Sequence, residues 1–283
     1  MLIVQSKSTD VYRNLAVEEW LLDHAPQLPV LFLYVNDPCV VIGKNQNPWR
    51  ECRLSLMKEE GVPLARRISG GGAVYHDAGN LNVSVMVPRT EYVEQKQYDL
   101  IFKATALRHS QLSKTGTSSL AVDGLKFSGQ AFCHRRDRTL HHGTILVNAD
   151  LARLGRYLGP EFDGIETNAI ASVPSKVANL SQFAPELTLE KLSAALIEQF
   201  VGMYGFRPGG ACAPEGSRGV VEYGSDGVVP EEELLLSMGK NSSKDWKLGH
   251  TPKFTFQDLE IVKGRITNLD GQPLFEEWFE HEG

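Results

Sequence analysis

The clearest pattern along the chain is a two-residue alternation, Leu81, Val83, Val85 and Val87 against Asn82, Ser84 and Met86, which predicts a strand with one face on a core. Val30 to Val35 and Cys39 to Ile42 are apolar without alternation and read as buried strands, separated by the turn residues Asn36-Asp37-Pro38. Leu120-Ala121-Val122 and Leu125-Lys126-Phe127 flank Asp123-Gly124, a pair suited to a two-residue hairpin turn. That hairpin puts Lys126 just after a tight bend. Thr144 to Val147 reads as a further strand. Helical patterns lie between these strands. Asn14 is placed to cap a helix over Leu15 to His24, ended by Ala25-Pro26, and Asp150 to cap a short one over Leu151 to Leu158. Thr188 precedes a longer helix in which Leu189, Leu192, Leu196, Phe200 and Met203 keep helical spacing until Gly205. Ile165 to Leu180 has no clean period, which fits a loop able to close over a ligand and fits an ordered connection equally well. Hairpin strands mixed with separated helices give an α+β class rather than regular βαβ alternation.

Between these elements lies Arg66-Arg67-Ile68-Ser69-Gly70-Gly71-Gly72-Ala73-Val74-Tyr75-His76-Asp77-Ala78-Gly79-Asn80. Glycine leaves backbone amides uncovered, so three glycines beside two arginines and a hydroxyl suit close approach to an anion. It is neither common phosphate loop. The dinucleotide fingerprint needs glycine where Tyr75 stands, and no Gly-Lys-Ser/Thr follows. A bare glycine triplet reads as a hairpin between two strands. The arginines, Ser69 and the His76-Asp77 pair favour a site.

Composition narrows the classes. With 283 residues, 42% of them hydrophobic, the chain can bury a sizeable core in one large domain or two smaller ones. A formal charge of -6 argues against a general nucleic-acid binder. Cys39, Cys52, Cys133 and Cys212 form no Cys-x-x-Cys pair, so neither a disulfide framework nor a zinc site is indicated and reduced thiols are expected. No stretch approaches the roughly 18 apolar residues of a membrane helix. Lys7 is the only charge before Asp10, unlike a secretory or transit leader, so the expected address is cytoplasmic. The glycine-dense stretch from Gly205 to Gly227 and Glu231-Glu232-Glu233 are expected at the surface, and no internal repeat is visible.

The glycine segment resembles the loop of the lipoate-protein ligase A and lipoyltransferase family, Arg-Arg-x-Ser-Gly-Gly-Gly-x-Val-Phe/Tyr-His-Asp-x-Gly-Asn, at every fixed position. The similarity includes Asn14-Leu15-Ala16-Val17-Glu18-Glu19, Val41 to Trp49, Asp123 to Gly129, His141-His142-Gly143-Thr144, Gly164-Ile165 to Leu180, and Trp246 to Phe254. It implies an α+β biotin/lipoate ligase catalytic domain, related to the class II aminoacyl-tRNA synthetase fold, over residues 1–249, with residues 250–283 as a short C-terminal extension. The implied activity is a lipoate-protein ligase that attaches lipoate, through lipoyl-AMP, to a specific lysine of a lipoyl domain, using ATP and Mg2+. The implied acceptors are lipoyl domains of 2-oxoacid dehydrogenase complexes or the glycine cleavage H protein, with no nucleic-acid or membrane partner.

By resemblance, Lys126 is the catalytic residue, touching the adenylate phosphate and the acyl carbonyl, where a cation stabilises charge built in the transition state. Arg67, Gly72, Ala73, Val74 and Tyr75 join Lys126 as nucleotide-binding positions. Arg67, Ser69, Val74, His76, Lys126, His142 and Thr144 match positions around the lipoyl group. Without the resemblance, Lys126 would read as a solvated hairpin lysine, His76 as a structural histidine, and His141-His142 as a strand end. The metal ligands are unknown, and so is the base that must help a lysine with ordinary pKa about 10.4 to attack. The basic run His134-Arg135-Arg136-Asp137-Arg138 reads either as an exposed turn or as a dock for an acidic lipoyl domain.

Two departures limit the carry-over. Many family ligases have Arg-Asn-Asp before the hairpin, where this chain has Thr117-Ser118-Ser119, which puts activation and magnesium binding in question. Family members also carry an accessory domain after the Trp-x-x-Gly-x-Thr-Pro-x-Phe segment. Here Phe256 to Leu269 makes at most one expected hairpin and the acidic end adds little, too short for an independent core, so the missing part would be a separate accessory subunit. The alternatives are a lipoyltransferase that accepts preformed lipoyl-AMP or another activated donor without ATP, a less favoured cysteine-based amidotransferase using Cys133, and a noncatalytic lipoate- or adenylate-binding protein.

Overall fold

The alternating segment forms the strand Asn80–Pro88, and it lies in the middle of an eight-stranded sheet. The computed structural model describes residues 1–105, 107, 110–205, 220–223, 229–267 and 273–279. In chain order the strands are β1 (Leu2–Ser6), β2 (Val30–Tyr34), β3 (Cys39–Ile42), β4 (Leu64–Arg66), β5 (Val74–His76), β6 (Asn80–Pro88), β7 (Leu112–Thr115) and β8 (Ser119–Val122). They continue with β9 (Leu125–His134), β10 (Arg138–Leu146), β11 (Ile165–Thr167), β12 (Val220–Tyr223), β13 (Phe254–Phe256), β14 (Leu259–Val262), β15 (Arg265–Thr267) and β16 (Pro273–Trp278). The helices are α1 (Val11–His24), α2 (Pro48–Glu51), α3 (Leu54–Glu59), α4 (Glu94–Thr105), α5 (Leu151–Tyr157), α6 (Leu189–Tyr204), α7 (Glu231–Ser242) and α8 (Lys244–Lys247). Two compact units result: Met1–Asp37 with His76–Leu151 and Ser175–Leu235, and Pro38–Tyr75 with Ala152–Pro174 and Leu236–Gly283.

The first unit holds the large sheet, ordered β12-β1-β2-β6-β10-β9-β8-β7. On one face Leu31, Leu33, Leu81, Val83, Val85, Phe127 and Ile145 pack with Leu100 and Ile101 of α4 and with Leu192, Leu196 and Phe200 of α6. The sequence pattern predicts one buried face for β6, but all nine of its residues are buried. Helix α1 packs on the other face, and Asn82 and Ser84 find hydrogen-bond partners there. Helix α1 itself begins a turn earlier than expected. Asp10 is its cap, accepting from Arg13 N at 2.8 Å, whereas Asn14 is buried inside the first turns and donates to Asn36 Oδ1 at 2.8 Å.

Asp123 (φ 49°) and Gly124 (φ 80°) supply the left-handed pair that a two-residue hairpin needs, joining β8 to β9 as expected. Both β9 and β10 are longer than their apolar runs. The basic run is the turn between them, and most of its charge is already committed. Arg135 donates to Asp23 Oδ1 at 2.9 Å, while Arg138, 2% exposed, donates to Pro26 O at 2.6 Å and Leu28 O at 3.2 Å. The side chains of Arg136 and Asp137 stand well out, 95% and 71% exposed, and His134 is exposed as well, so the run is a turn whose tip remains open to solvent.

His141 faces the apolar side. Its Nε2 bonds Gln130 Oε1 at 2.9 Å, Tyr92 OH lies 3.2 Å from Nδ1, and Phe132 and Tyr98 meet its ring. Burial pulls it down from the ordinary 6.5 to about 3, so it is neutral in the fold. The unfolded chain therefore takes up a proton that the folded chain refuses, and stability present above pH 6.5 is lost as the pH falls towards about 3. His141→Gln should flatten the slope of urea-unfolding free energy across that window.

In the second unit β3 is the middle strand of a three-stranded sheet, β4-β3-β5. The glycine segment therefore is not a hairpin between paired neighbours. It crosses the end of β3, because β4 and β5 each bond to β3. Tyr75 is core, 1% exposed and 5.6 Å from the Tyr157 ring, with Val40, Ile42 and Met57 around it. The C-terminal part is richer than one hairpin: β11-β13-β14-β15-β16 form a five-stranded sheet. Phe254, Phe256, Ile261 and Phe279 bury their side chains against Trp49, so this part shares a core with earlier residues instead of building its own. Residues 206–219, 224–228, 268–272 and 280–283, on which parts of the expectations for the glycine-dense stretch and the C-terminus fall, lie outside the described residues.

Arg66 bolts the Trp246–Thr251 segment to the glycine segment. It is 1% exposed and donates to the carbonyls of Gly43, Lys44, Gln46 and Lys247 and to Thr251 Oγ1, while Trp246 Nε1 returns a bond to Arg66 O at 2.6 Å. Burial lowers its pKa to about 10, which leaves it charged at neutral pH. Because a stranded buried carbonyl costs about 1–3 kcal/mol, Arg66→Met should lower unfolding free energy by about 2 kcal/mol in urea melts.

Candidate functional site

The expected site residues divide between the units. Arg67, Ser69, Gly72, Ala73, Val74 and Tyr75 are in the second, and His76, Lys126, His142 and Thr144 in the first. Each half has its own geometry.

In the second unit the glycine turn is held from inside. Arg67, 7% exposed, donates Nε to Ser69 Oγ at 3.0 Å and Nη2 to Gly70 O at 2.6 Å and Gly72 O at 2.8 Å. Its planar fork is therefore spent on the turn's own carbonyls, which fixes the turn's shape. Gly71 has φ 85°, a left-handed value suited to glycine. Gly43 packs beneath; an added Cβ there would stand 2.3 Å from Gly71 O. Ser172, which the sequence reading did not single out, accepts from Ala73 N at 2.9 Å and from Gln46 Nε2 at 3.1 Å, and donates its own amide to Glu51 Oε2 at 3.0 Å. A hydroxyl oxygen thus sits where the turn's amide can receive an acceptor.

In the first unit a polar row crosses the sheet. Tyr34, Asn82, Thr144 and Gly129 are register partners across β2, β6, β10 and β9, and Phe32, Ser84, His142 and Ala131 form the next row. Lys126 reaches this surface by folding back along β9. Its Nζ and Cε lie 3.3 Å from where a Cβ on Gly129 would be, and Thr144 Oγ1 lies 4.0 Å from the same point. A β-bulge between the partners of Leu120 and Ala121 shifts the register just there. The Lys126 backbone is clamped by the 176–178 segment, with Lys126 N donating to Lys176 O and Ala178 N to Lys126 O, both at 2.9 Å. The lysine is half-buried, not a solvated hairpin residue.

The irregular stretch from Ile165 to Leu180 is an ordered connection. Up to Pro174 it belongs to the second unit, paired to β13 and anchored through Ile170 and Ser172; from Ser175 it belongs to the first, where it clamps Lys126 and where Asn179 brackets Ala149. Asp77 is a turn residue. Its carboxylate accepts from Gly79 N and Asp150 N, both at 2.8 Å. His76, 3% exposed, has Nδ1 2.9 Å from the Asn36 amide.

Under the sheet lies Glu18, which the sequence reading quoted only as part of the resemblance. It is 1% exposed, and its Oε1 accepts from Ser84 Oγ at 2.5 Å, His142 Nδ1 at 2.8 Å and Tyr34 OH at 3.3 Å. Burial would raise its pKa, but attraction to His142 and these hydrogen bonds outweigh it, and the carboxyl titrates below its ordinary range. Asn14 and Glu18, four residues apart on one helix face among apolar neighbours, were the readable sign of a polar site beneath the sheet.

Residues 10–201 match the family model described as lipoyl protein ligase A/B catalytic domain. The chain belongs to that family. It is 38% identical over 254 residues to lipoate-protein ligase A of Psychrobacter cryohalolentis, spanning 89% of this chain and 74% of the relative. To the mitochondrial lipoyl amidotransferase LIPT1 of Homo sapiens it is 38% identical over 264 residues, 90% of this chain and 67% of the relative. The structure of P. falciparum LipL1 in complex with lipoate superposes with a TM-score of 0.74 at 29% identity, covering 94% of this chain and 83% of that one. The α+β fold is thus the lipoate ligase catalytic fold, and the chain is an enzyme of the lipoate-protein ligase and lipoyltransferase class. Among the described residues no helix is long and apolar enough to cross a membrane, and no cluster of three or more His, Cys, Asp or Glu side chains could hold a metal ion.

Proposed function

We propose that this enzyme transfers a lipoyl group to the side chain of a lysine on a lipoyl domain, by way of lipoyl-AMP that it makes from lipoate and ATP. The observation that carries the reading is Lys126: a half-buried lysine on a polar sheet face, its ammonium folded over Gly129 beside Thr144. A free carboxylate is a poor acyl donor because its leaving oxygen is bad, whereas the mixed anhydride of an acyl-adenylate has a good leaving group. The ammonium of Lys126 stabilises the negative charge that grows on the carbonyl and phosphate oxygens as an amine attacks. Gly72, Ala73, Val74 and Tyr75 offer backbone contacts to the nucleotide, and Arg67 supports them by fixing the turn. Ser69, Val74, His76, His142 and Thr144 border the lipoyl group. The acceptors in this proposal are lipoyl domains of 2-oxoacid dehydrogenase complexes or the glycine cleavage H protein, and the address is cytoplasmic.

A second reading is a transferase that never uses ATP, and one observation favours it. Thr117, Ser118 and Ser119 bring hydroxyls and no carboxylate to the position before the hairpin. Magnesium usually needs one or two carboxylates besides substrate phosphates. These residues do not make such a site. The two readings part in a paired assay on one lipoyl domain. Lipoate with ATP and Mg2+, and synthetic lipoyl-adenylate alone, should both yield modified domain for a ligase, only the adenylate for a transferase. Failure of both would leave a binding protein.

A further inference from the structure

We infer that His142, held by the buried carboxylate of Glu18, is the base that takes the proton from the attacking lysine in lipoyl transfer. The inference rests on the proposed function and supplies the proton acceptor that the sequence leaves unnamed. A carboxylate only accepts hydrogen bonds, so the contact between Glu18 Oε1 and His142 Nδ1 at 2.8 Å puts the imidazole proton on Nδ1 and the lone pair on Nε2. Ser84 Oγ and Tyr34 OH donate to the same oxygen and hold the carboxylate in place. Leaving an ionised carboxylate 1% exposed is costly unless it is paired, and here the partner is a ring able to become a cation.

His76, on β5, and His141, beside His142 on β10, are set differently. Asn14 Nδ2 donates to Asn36 Oδ1, which turns the Asn36 amide nitrogen towards His76 Nδ1 and leaves His76 with its proton on Nε2, a donor. His141 lies on the opposite face with Nε2 against Gln130. Only His142, among these three, presents an accepting Nε2 on the face that carries Lys126 and Thr144. It stands two residues from Thr144 on β10, roughly 6–7 Å along the strand. The charged or titratable groups facing it are Glu18 from α1, Tyr34 from β2 and, beyond Thr144, Lys126 from β9; Ser84 is its neutral neighbour on β6.

The acceptor ammonium first loses one proton to solvent. Its nitrogen lone pair then forms the bond to the acyl carbon while a second proton passes to His142 Nε2. The bond from acyl carbon to phosphate oxygen breaks, its electron pair leaves on AMP, and the imidazolium, paired with Glu18, later releases its proton to water.

The test measures transfer from synthetic lipoyl-adenylate to two nucleophiles, the lipoyl-domain lysine and hydroxylamine, whose less basic nitrogen loses its proton to water without a positioned base. His142→Asn keeps an amide donor for Glu18 and so avoids stranding the carboxylate. It should lower kcat for the lysine acceptor by about 10²-fold more than it lowers the hydroxylamine rate measured above background. Glu18→Gln should show the same split with a smaller loss. Equal loss with both nucleophiles, or no loss with the lysine, would overturn the assignment. Should His142→Asn fail to fold, Ser84→Ala, which removes one tether of Glu18, must still depress the lysine rate relative to hydroxylamine, and an unchanged ratio rejects the role. Wild-type protein that transfers to neither nucleophile would instead remove the proposed function itself.

Discussion

Lys126→Ala is expected to lower transfer from preformed lipoyl-adenylate by about 10²–10³-fold in kcat, the usual cost of removing one group aimed at developing oxyanion charge. The loss should be chemical rather than structural. Lys126 is half-buried and its backbone bonds to Lys176 and Ala178 do not depend on the side chain, so the urea midpoint should correspond to a change within about 0.5 kcal/mol. Arginine at this position should not restore the rate, because a planar fork cannot fold over Gly129 as a slim ammonium does, with Nζ 3.3 Å from the missing Cβ. Single-turnover transfer, read beside the urea melt of the same preparation, checks both halves of the expectation. Near-normal turnover would reject the lysine's assignment.

Gly43→Ala is expected to lower kcat/KM by about 10²-fold without any change to a group that could touch substrate. The new methyl would meet Gly71 O at 2.3 Å and Gly70 C and O at 3.1 Å, and all three are backbone atoms that cannot rotate away. The turn must move. A displacement near 1 Å in a positioning element costs on this scale, and the overpacking itself should take about 1–3 kcal/mol from stability. If Gly43→Ala bound and processed lipoyl-adenylate as wild type does, the glycine turn would not be the nucleotide-facing element.

What the sequence made legible was local. Asp123-Gly124 announced its hairpin because two consecutive left-handed residues are a demand few sequences meet. Thr188 announced the start of α6, accepting from Lys191 N, because the cap and its target are three residues apart. The same logic misplaced the start of α1, where Asp10 and Asn14 are both competent caps and only the distant Asn36 decides which side chain is spent elsewhere. The glycine segment was legible as a site but not as a crossing over β3, since strand order depends on pairings between residues far apart in sequence. Ser172 and the contact of Glu18 with His142 were least legible. Their partners lie 99 residues away at Ala73 and 124 away at His142, and no spacing rule reaches so far. The pairing inside the basic run from His134 to Arg138 was not legible either, because the counter-charges of Arg135, Asp23 and Glu19, sit on α1.

The central claim is that this chain moves a lipoyl group from an activated acyl phosphate to a protein lysine. Its most direct test is the intact mass of a purified lipoyl domain after incubation with wild-type enzyme and synthetic lipoyl-adenylate, with the Lys126→Ala protein run in parallel. The account predicts a gain of one lipoyl group on a single lysine with wild type and only background with the variant. A folded wild-type enzyme that leaves the domain's mass unchanged, or a variant that matches wild type, would contradict it.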